Sequence, residues 1–299
     1  MVYKKNTVQK MKIQITKKIT SLLFMCLITA ASIAQKKPAY VIYTAKGTKT
    51  DFGKMLKQLN NADIVLFGEL HNNPIAHWLQ LELSKAIAQT KSITLGAEMF
   101  ESDNQAILND YLADNINAKE LNTKARLWPN YDTDYSPLVE FAKENKIPFI
   151  ATNIPRVYAN MVYKKDFTAL DSLSKEEKSW IAPLPILFDP ELPTYKNILK
   201  MMGGHGSELL VKPQAIKDAT MAYFIFQNYK PNHTFIHFNG SYHSDDFEGI
   251  LWYLKQTNKD LNYKTISTVS QKDIQKLDSE NLNKADFIIC VAENMTTTY

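Results

Sequence analysis

The chain has 299 residues, with 35 Lys and Arg against 31 Asp and Glu and a formal charge of +4. Six of the basic residues and none of the acidic ones fall in the first 34 positions, so the remainder carries 29 basic against 31 acidic groups, a net charge of −2. Nothing basic is left to argue for a nucleic-acid partner, and with Cys26 in the first segment and Cys290 alone beyond it, an intrachain disulfide in the remainder is excluded.

Lys4, Lys5, Lys10, Lys12, Lys17 and Lys18 precede the apolar run "SLLFMCLITA", and "SIA" before Gln35 suits a signal-peptidase site. Residues 1–34 therefore read as a signal peptide cut after Ala34, which expects a protein exported across the inner membrane and periplasmic or outer-membrane associated. Phe24 and Met25 stand before Cys26 where a lipid attachment site carries small residues, so Cys26 reads as ordinary leader filler. No later segment reaches the roughly 20 apolar residues of a spanning helix.

Beyond the leader, short β-rich runs alternate with amphipathic segments. The runs are "YVIY" (40–43), "DIVLFG" (63–68), "SITLGAEMF" (92–100), "IPFIATN" (147–153), "TFIHFNG" (234–240), "KTISTVS" (264–270) and "DFIICVA" (286–292). Helical patterns lie near 51–60, 74–89, 103–113, 135–145, 213–229 and 247–257, with Asn73 and Pro74 suited to the N-cap and first position of the second. This rhythm predicts an α/β fold, a mostly parallel β-sheet flanked by helices, which binds ligands beyond the carboxyl ends of its strands. The interval from about 155 to 212 breaks it: five prolines between Pro183 and Pro213 and no strand pattern predict a helical cap or insertion.

Polar residues gather where strands end. "GELH" puts Glu69 and His71 two apart after a buried run, so an extended chain points both to one side, and Gly68 permits close backbone approach. "GSYH" repeats the pattern at Gly240–His243, and a third strand ends in Gly96, Glu98 and Glu101. Parallel strands would deliver Glu69, His71, Glu98 and His243 to one edge. Two imidazoles and two carboxylates suit zinc, manganese or iron with an open position for water, and the same edge could sit against a flat hydrophobic cofactor.

The other histidines divide. His77 sits where it could reach back to the edge or lie on a helix face; His237 falls mid-strand and reads as a core residue; His205 in "MMGGHG" could close over a ligand from a glycine loop. Asn153 and Arg156 in "ATNIPR" end a fourth strand, where arginine suits a carboxylate or phosphate ligand, or an ion pair with a site glutamate. Tyr131, Tyr135 and Tyr242 are candidate phenolate ligands. No Gly-x-Ser-x-Gly elbow, P-loop or Gly-x-Gly-x-x-Gly is present, and Ser241 and His243 would not face each other as nucleophile and base.

The ordered segments "ADIVLFGELHNNPIAHWLQ", "LGAEMFE", "WPNYDTDYSPLVEFA", "PFIATNIPR", "KPQAIKDATMAYFI" and "FIHFNGSYHSDDFEGI" resemble the ChaN-like proteins, iron-regulated haem-binding lipoproteins. These are similar in turn to erythromycin esterases, TraB-type proteins and Tiki metalloproteases. The resemblance spans about Tyr40 to Leu254 and implies a haem-binding protein of haem and iron uptake, with an apolar pocket that a second subunit, as in a homodimer, can complete. It also implies ligation by a tyrosine with a histidine nearby, a partnership with an outer-membrane haem or iron transporter, and functional positions at Glu69, His71, His77, Glu98, Asn153, Arg156 and His243. The missing small residues before Cys26 depart from the lipoprotein pattern. Two expectations stand side by side: a non-enzymatic haem carrier, and a metal-dependent hydrolase using His71, His243, Glu69 and Glu98.

Overall fold

Alternation along the central strands sorts the core into two layers. In β3 (Ile64–Glu69), Val65 and Phe67 turn to one face and Ile64 and Leu66 to the other, as the two-residue period of a strand requires, and every residue of the strand is buried. The computed structural model describes Met11, residues 37–201 and residues 207–299. The expected leader, Met11 apart, and His205 lie outside the described residues.

Around β3 run β1 (Tyr40–Thr44), β2 (Lys49–Thr50), β4 (Ile93–Glu101), β5 (Phe149–Asn153), β6 (Thr234–Gly240), β7 (Tyr263–Gln271) and β8 (Phe287–Ala292). Among the described residues they form one eight-stranded sheet in the order β2-β1-β8-β7-β3-β6-β4-β5. The six strands from β8 to β5 are parallel, and β1 closes the far side antiparallel to both β2 and β8. All seven β-rich runs read from the sequence are strands; β2 is too short to show a pattern.

The first layer packs α1 (Phe52–Leu59), α2 (Pro74–Ala88), α3 (Gln105–Leu112), α4 (Ala118–Lys124) and α5 (Ser136–Glu144) over Val65, Phe67, Leu95, Ile236 and Phe238. Asn73 caps α2, its Oδ1 accepting from Ala76 N–H at 3.0 Å, with Pro74 opening the helix. Between α4 and α5, Tyr131–Tyr135 make a single π-helical turn, a geometry concentrated at functional sites.

Between β5 and β6 the chain carries α6 (Arg156–Lys165), the short α7 (Lys175–Lys178), α8 (Pro193–Met201) and α9 (Lys212–Asn228), and no strand among the described residues. The helical interval has its own apolar clusters, Tyr158, Val162, Leu170 and Ile181 around Ile216, and Leu192 and Tyr195 against Val211 and Ala215. Both are anchored on α9 or the residue before it. Helix α9, with α10 (Ile250–Thr257), buries Met221, Ile225, Ile250 and Leu254 on the second face of the sheet. Among the described residues no helix is long and apolar enough to cross a membrane.

Candidate functional site

The two Gly-x-x-His turns lie side by side because β3 pairs directly with β6, setting Glu69 opposite Gly240. Each glycine makes room for the other turn. A Cβ on Gly68 would stand 3.0 Å from Ser241 Cα, and one on Gly240 would stand 2.6 Å from the His71 ring, so neither position accepts a side chain without movement. The backbone approach that Gly68 permits is therefore made by the second turn.

Glu69, 1 % exposed, is held from three sides. Its Oε1 accepts from the Tyr135 hydroxyl at 2.7 Å and from His71 Nδ1 at 2.9 Å, and its Oε2 accepts from Gln80 Nε2 at 2.5 Å. Donation from Nδ1 directs His71 Nε2 away from Glu69, toward the glycine cradle, an arrangement that fixes ring and tautomer as in metal-ligating histidines. The His71 pKa is raised: burial opposes the cation, but the Glu69 hydrogen bond and the charges of Glu98 and Glu69 outweigh it. The turn is pinned as well, since the His71 carbonyl accepts from both His77 Nε2 at 3.0 Å and Asn130 Nδ2 at 3.1 Å. His77 does reach back, as a buried support; its ring also meets Tyr135 edge-on at 5.2 Å.

His243 lies between two carboxylates. Its Nδ1 donates to Asp218 Oδ1 at 2.5 Å and its Nε2 faces Glu98 Oε1 at 3.2 Å, while Glu98 Oε2 accepts from Gly240 N–H at 2.7 Å. Burial disfavours the imidazolium, yet Glu98 and Asp218 raise its pKa to about 9. Glu98 is held well below the ordinary carboxylate range, its burial overcome by His243. Asp218, from α9, is pushed by burial up to about 6. His237 is a core residue, bonded to Thr152 at 2.7 Å and Asn239 at 3.0 Å, and burial lowers its pKa to about 4.

A cleft of about 1280 Å³ opens over this edge. Of the residues anticipated from sequence it gathers Glu69, His71, Glu98, Asn153, Arg156, Tyr242 and His243. Tyr131 and Tyr135 are not among its lining residues: Tyr131 is buried against Phe100, and Tyr135 spends its hydroxyl on Glu69. In this structure they serve packing and support, and burial raises both pKa values. Tyr242, 57 % exposed, lines the cleft.

Among the described residues no three His, Cys, Asp or Glu are arranged to hold a metal ion. Glu69 turns onto Tyr135 and Gln80, and Glu98 faces His243 Nε2. The ion pair offered for Arg156 is also absent among the described residues, where the arginine is exposed. Sequence reasoning missed Trp128, whose ring meets His71 at 4.9 Å, along with Gln80, Asn130 and Asp218; all four stand in amphipathic or turn segments with no motif to mark them.

Over residues 55–254 the sequence matches the family described as haem-binding uptake, Tiki superfamily, ChaN. The chain belongs to the ChaN family. Haem is the cofactor of that family. Among solved structures, ChaN of Campylobacter jejuni in its study of cofacial haem binding is 19 % identical, with a TM-score of 0.63 over 85 % of this chain and 98 % of that one. At that identity the likeness speaks for the ChaN fold. A Bacillus cereus protein is 12 % identical with a TM-score of 0.49, over 83 % of this chain and 93 % of its own. An erythromycin esterase mutant in its open conformation is 10 % identical, TM-score 0.49, over 84 % and 97 %. No curated protein matches the sequence.

Proposed function

We propose that this protein is an exported haem-binding protein serving haem and iron acquisition, and that haem occupies the cleft at the carboxyl edge of the sheet. The observation that carries the reading is the cleft itself. Its volume of about 1280 Å³ exceeds the ~300–1,000 Å³ usual for small-molecule sites. Leu70, Trp128, Ile154, Val157 and Ile198 give it apolar walls, while an exposed tyrosine and an oriented histidine reach it. A macrocycle needs such walls, and its iron needs one or two such donors. Family membership and the haem-binding C. jejuni relative point the same way.

Tyr242 and His71, which both line the cleft, are the phenol and imidazole that would hold the iron. When bound, haem supplies the iron that is carried; the chain's part is to hold and shield it. Val157, Tyr242 and Met201 line the same cleft and are 59 %, 57 % and 72 % exposed, an apolar rim that supports a second copy of the chain completing the pocket as a homodimer. The lysine-rich leader supports export, with a periplasmic or outer-membrane-associated protein passing haem to or from an outer-membrane transporter.

Titration of the purified mature protein with haemin tests the reading. A saturable Soret shift, lost in Tyr242→Phe and kept in Tyr131→Phe, is the expected result; no shift in the unaltered protein overturns it.

A further inference from the structure

Strand β8 ends at Ala292 with β7 between it and β3, and the chain beyond it crosses the edge of the sheet toward the first histidine turn. Glu293 N–H donates to the carbonyl of Gln271, the last residue of β7, at 3.1 Å. Met295 N–H closes a turn onto the Ala292 carbonyl at 2.9 Å, and Thr298 N–H reaches the Asn72 carbonyl, one residue past His71, at 3.0 Å. Tyr299 follows and lines the cleft. The step from β8 over β7 to β3 is two strand spacings, about 10 Å, whereas the residues from Glu293 to Thr298 could span about 20 Å if extended. The segment is therefore laid across the edge with slack.

Thr298 is its clasp. Besides the amide bond to Asn72, its Oγ1 donates to Asp134 Oδ2 at 2.7 Å. Asp134 is buried and also accepts from Asn130 Nδ2 at 2.6 Å, with His77 Nε2 at 3.5 Å. Asn130 and His77 are the two donors that pin the His71 carbonyl, so the segment is fastened to the same group that steadies the histidine turn. The rest is weakly tied: residues 293–299 form no helix or strand beyond the end of β8, and Glu293, Asn294, Thr296, Thr297 and Tyr299 are exposed. A segment with few buried contacts and a single clasp opens at a far lower free-energy cost than the core strands beside it. Burial and the Asp134 and Glu69 carboxylates raise the Tyr299 pKa, so the ring lines the cleft as a neutral aromatic.

We propose that residues 293–299 are a strap that gates the cleft: clasped by Thr298 it holds the Tyr299 ring where a ligand must pass, and unclasped it clears the way. The proposal rests on the haem reading, because haem is the ligand whose passage the strap controls. Slack lets the segment lift and dock again without disturbing β8, and water replaces the hydrogen bonds that Thr298 gives up. A gate that closes equally over the empty and the loaded cleft favours neither state, so weakening its clasp speeds entry and exit together and leaves the affinity as it was. A side chain that only gripped bound haem would instead change exit alone.

Stopped-flow Soret kinetics of the full mature chain test the gate. Haemin mixed with the empty protein reports capture, and the loaded protein mixed with excess apomyoglobin reports release. Thr298→Val removes the hydroxyl of the clasp; Tyr299→Ala removes the ring and leaves the Asp134 hydrogen bonds in place. Each is expected to raise both rate constants about fivefold or more while Kd stays within about twofold. Thr296→Val, at an exposed position of the same segment, is expected to change neither rate. An unshifted Soret maximum in the variants reports that they are folded with the iron site undisturbed. Amide hydrogen exchange without haem checks the clasp separately: the amide at position 298 is expected to be protected in the unaltered protein and to exchange about tenfold faster in Thr298→Val. Faster exit with unchanged entry, unchanged rates in both variants, or a Thr298 amide that exchanges as in a free peptide overturns the strap while leaving haem binding intact. No Soret shift in the unaltered protein overturns the haem reading and the gate with it.

Discussion

At the scale of single residues, the site is built from side chains that restrain one another. Gly240→Ala would put a Cβ 2.6 Å from the His71 ring, so the ring must leave its place. Overpacking of this kind costs about 1–3 kcal/mol, and haemin titration of the variant should show weakened binding together with that loss in denaturant unfolding. Gln80→Leu would leave Glu69 Oε2 without its 2.5 Å donor inside the core, a loss of about 1–3 kcal/mol checked by the same unfolding curves. His243 ties stability to pH. Its folded pKa of about 9 lies above the ordinary value of 6.5, so its contribution is complete below pH 6.5 and fades as pH rises toward 9. Unfolding midpoints at pH 6.5 and 9 should fall apart in the unaltered protein and draw together in His243→Asn, a variant that is less stable throughout because Glu98 and Asp218 lose the charge between them. Glu69, His71, Glu98 and His243 were legible in sequence because each ends or follows a strand with a recognisable apolar run. Their partners Gln80, Asn130 and Asp218 were not, since contact across 11, 59 and 25 residues leaves no local spacing to read.

At the scale of elements, helix α2 starts where its sequence says it should, and its cap is part of the site. Asn73→Ala should cost about 1 kcal/mol by thermal or denaturant unfolding, because the Ala76 amide loses its acceptor, and should loosen His77, which lies in the first turn. Seven strands and six helices could be read from period and punctuation, since each is long enough to show alternation or an amphipathic face and is bounded by turn residues. The π-helical turn at Tyr131–Tyr135 could not. Its geometry places Tyr135 and the neighbouring Asp134 and Asn130 around the first histidine turn, a tertiary arrangement that the polar string "NYDTDY" does not announce. For the same reason the surroundings of two of the three candidate tyrosines could not be read: burial against Phe100 and donation to Glu69 are properties of the folded layers, not of the segment.

At the scale of the whole molecule, a mostly parallel sheet brings the ends of β3, β4, β5 and β6 to one edge, and the helices inserted between β5 and β6 add lining to the cleft. The strand ends offer an oriented imidazole and a tyrosine; the inserted helices add apolar surface. This division of labour could be anticipated in outline from strand order, as open parallel sheets bind ligands at this edge, but the membership of the cleft depended on how the insertion folds back. Removal of haem should matter to the fold as well: a ligand held only by the folded chain stabilises it by mass action, about 2.7 kcal/mol at one hundred times its dissociation constant, so thermal midpoints should rise with haemin concentration. The most direct test of the central claim is the absorption spectrum of the mature protein titrated with haemin, alongside Tyr242→Phe and His71→Ala. The account predicts a saturable Soret shift that Tyr242→Phe abolishes and His71→Ala displaces or weakens. A spectrum that never departs from free haemin, or one that both variants reproduce unchanged, would contradict it.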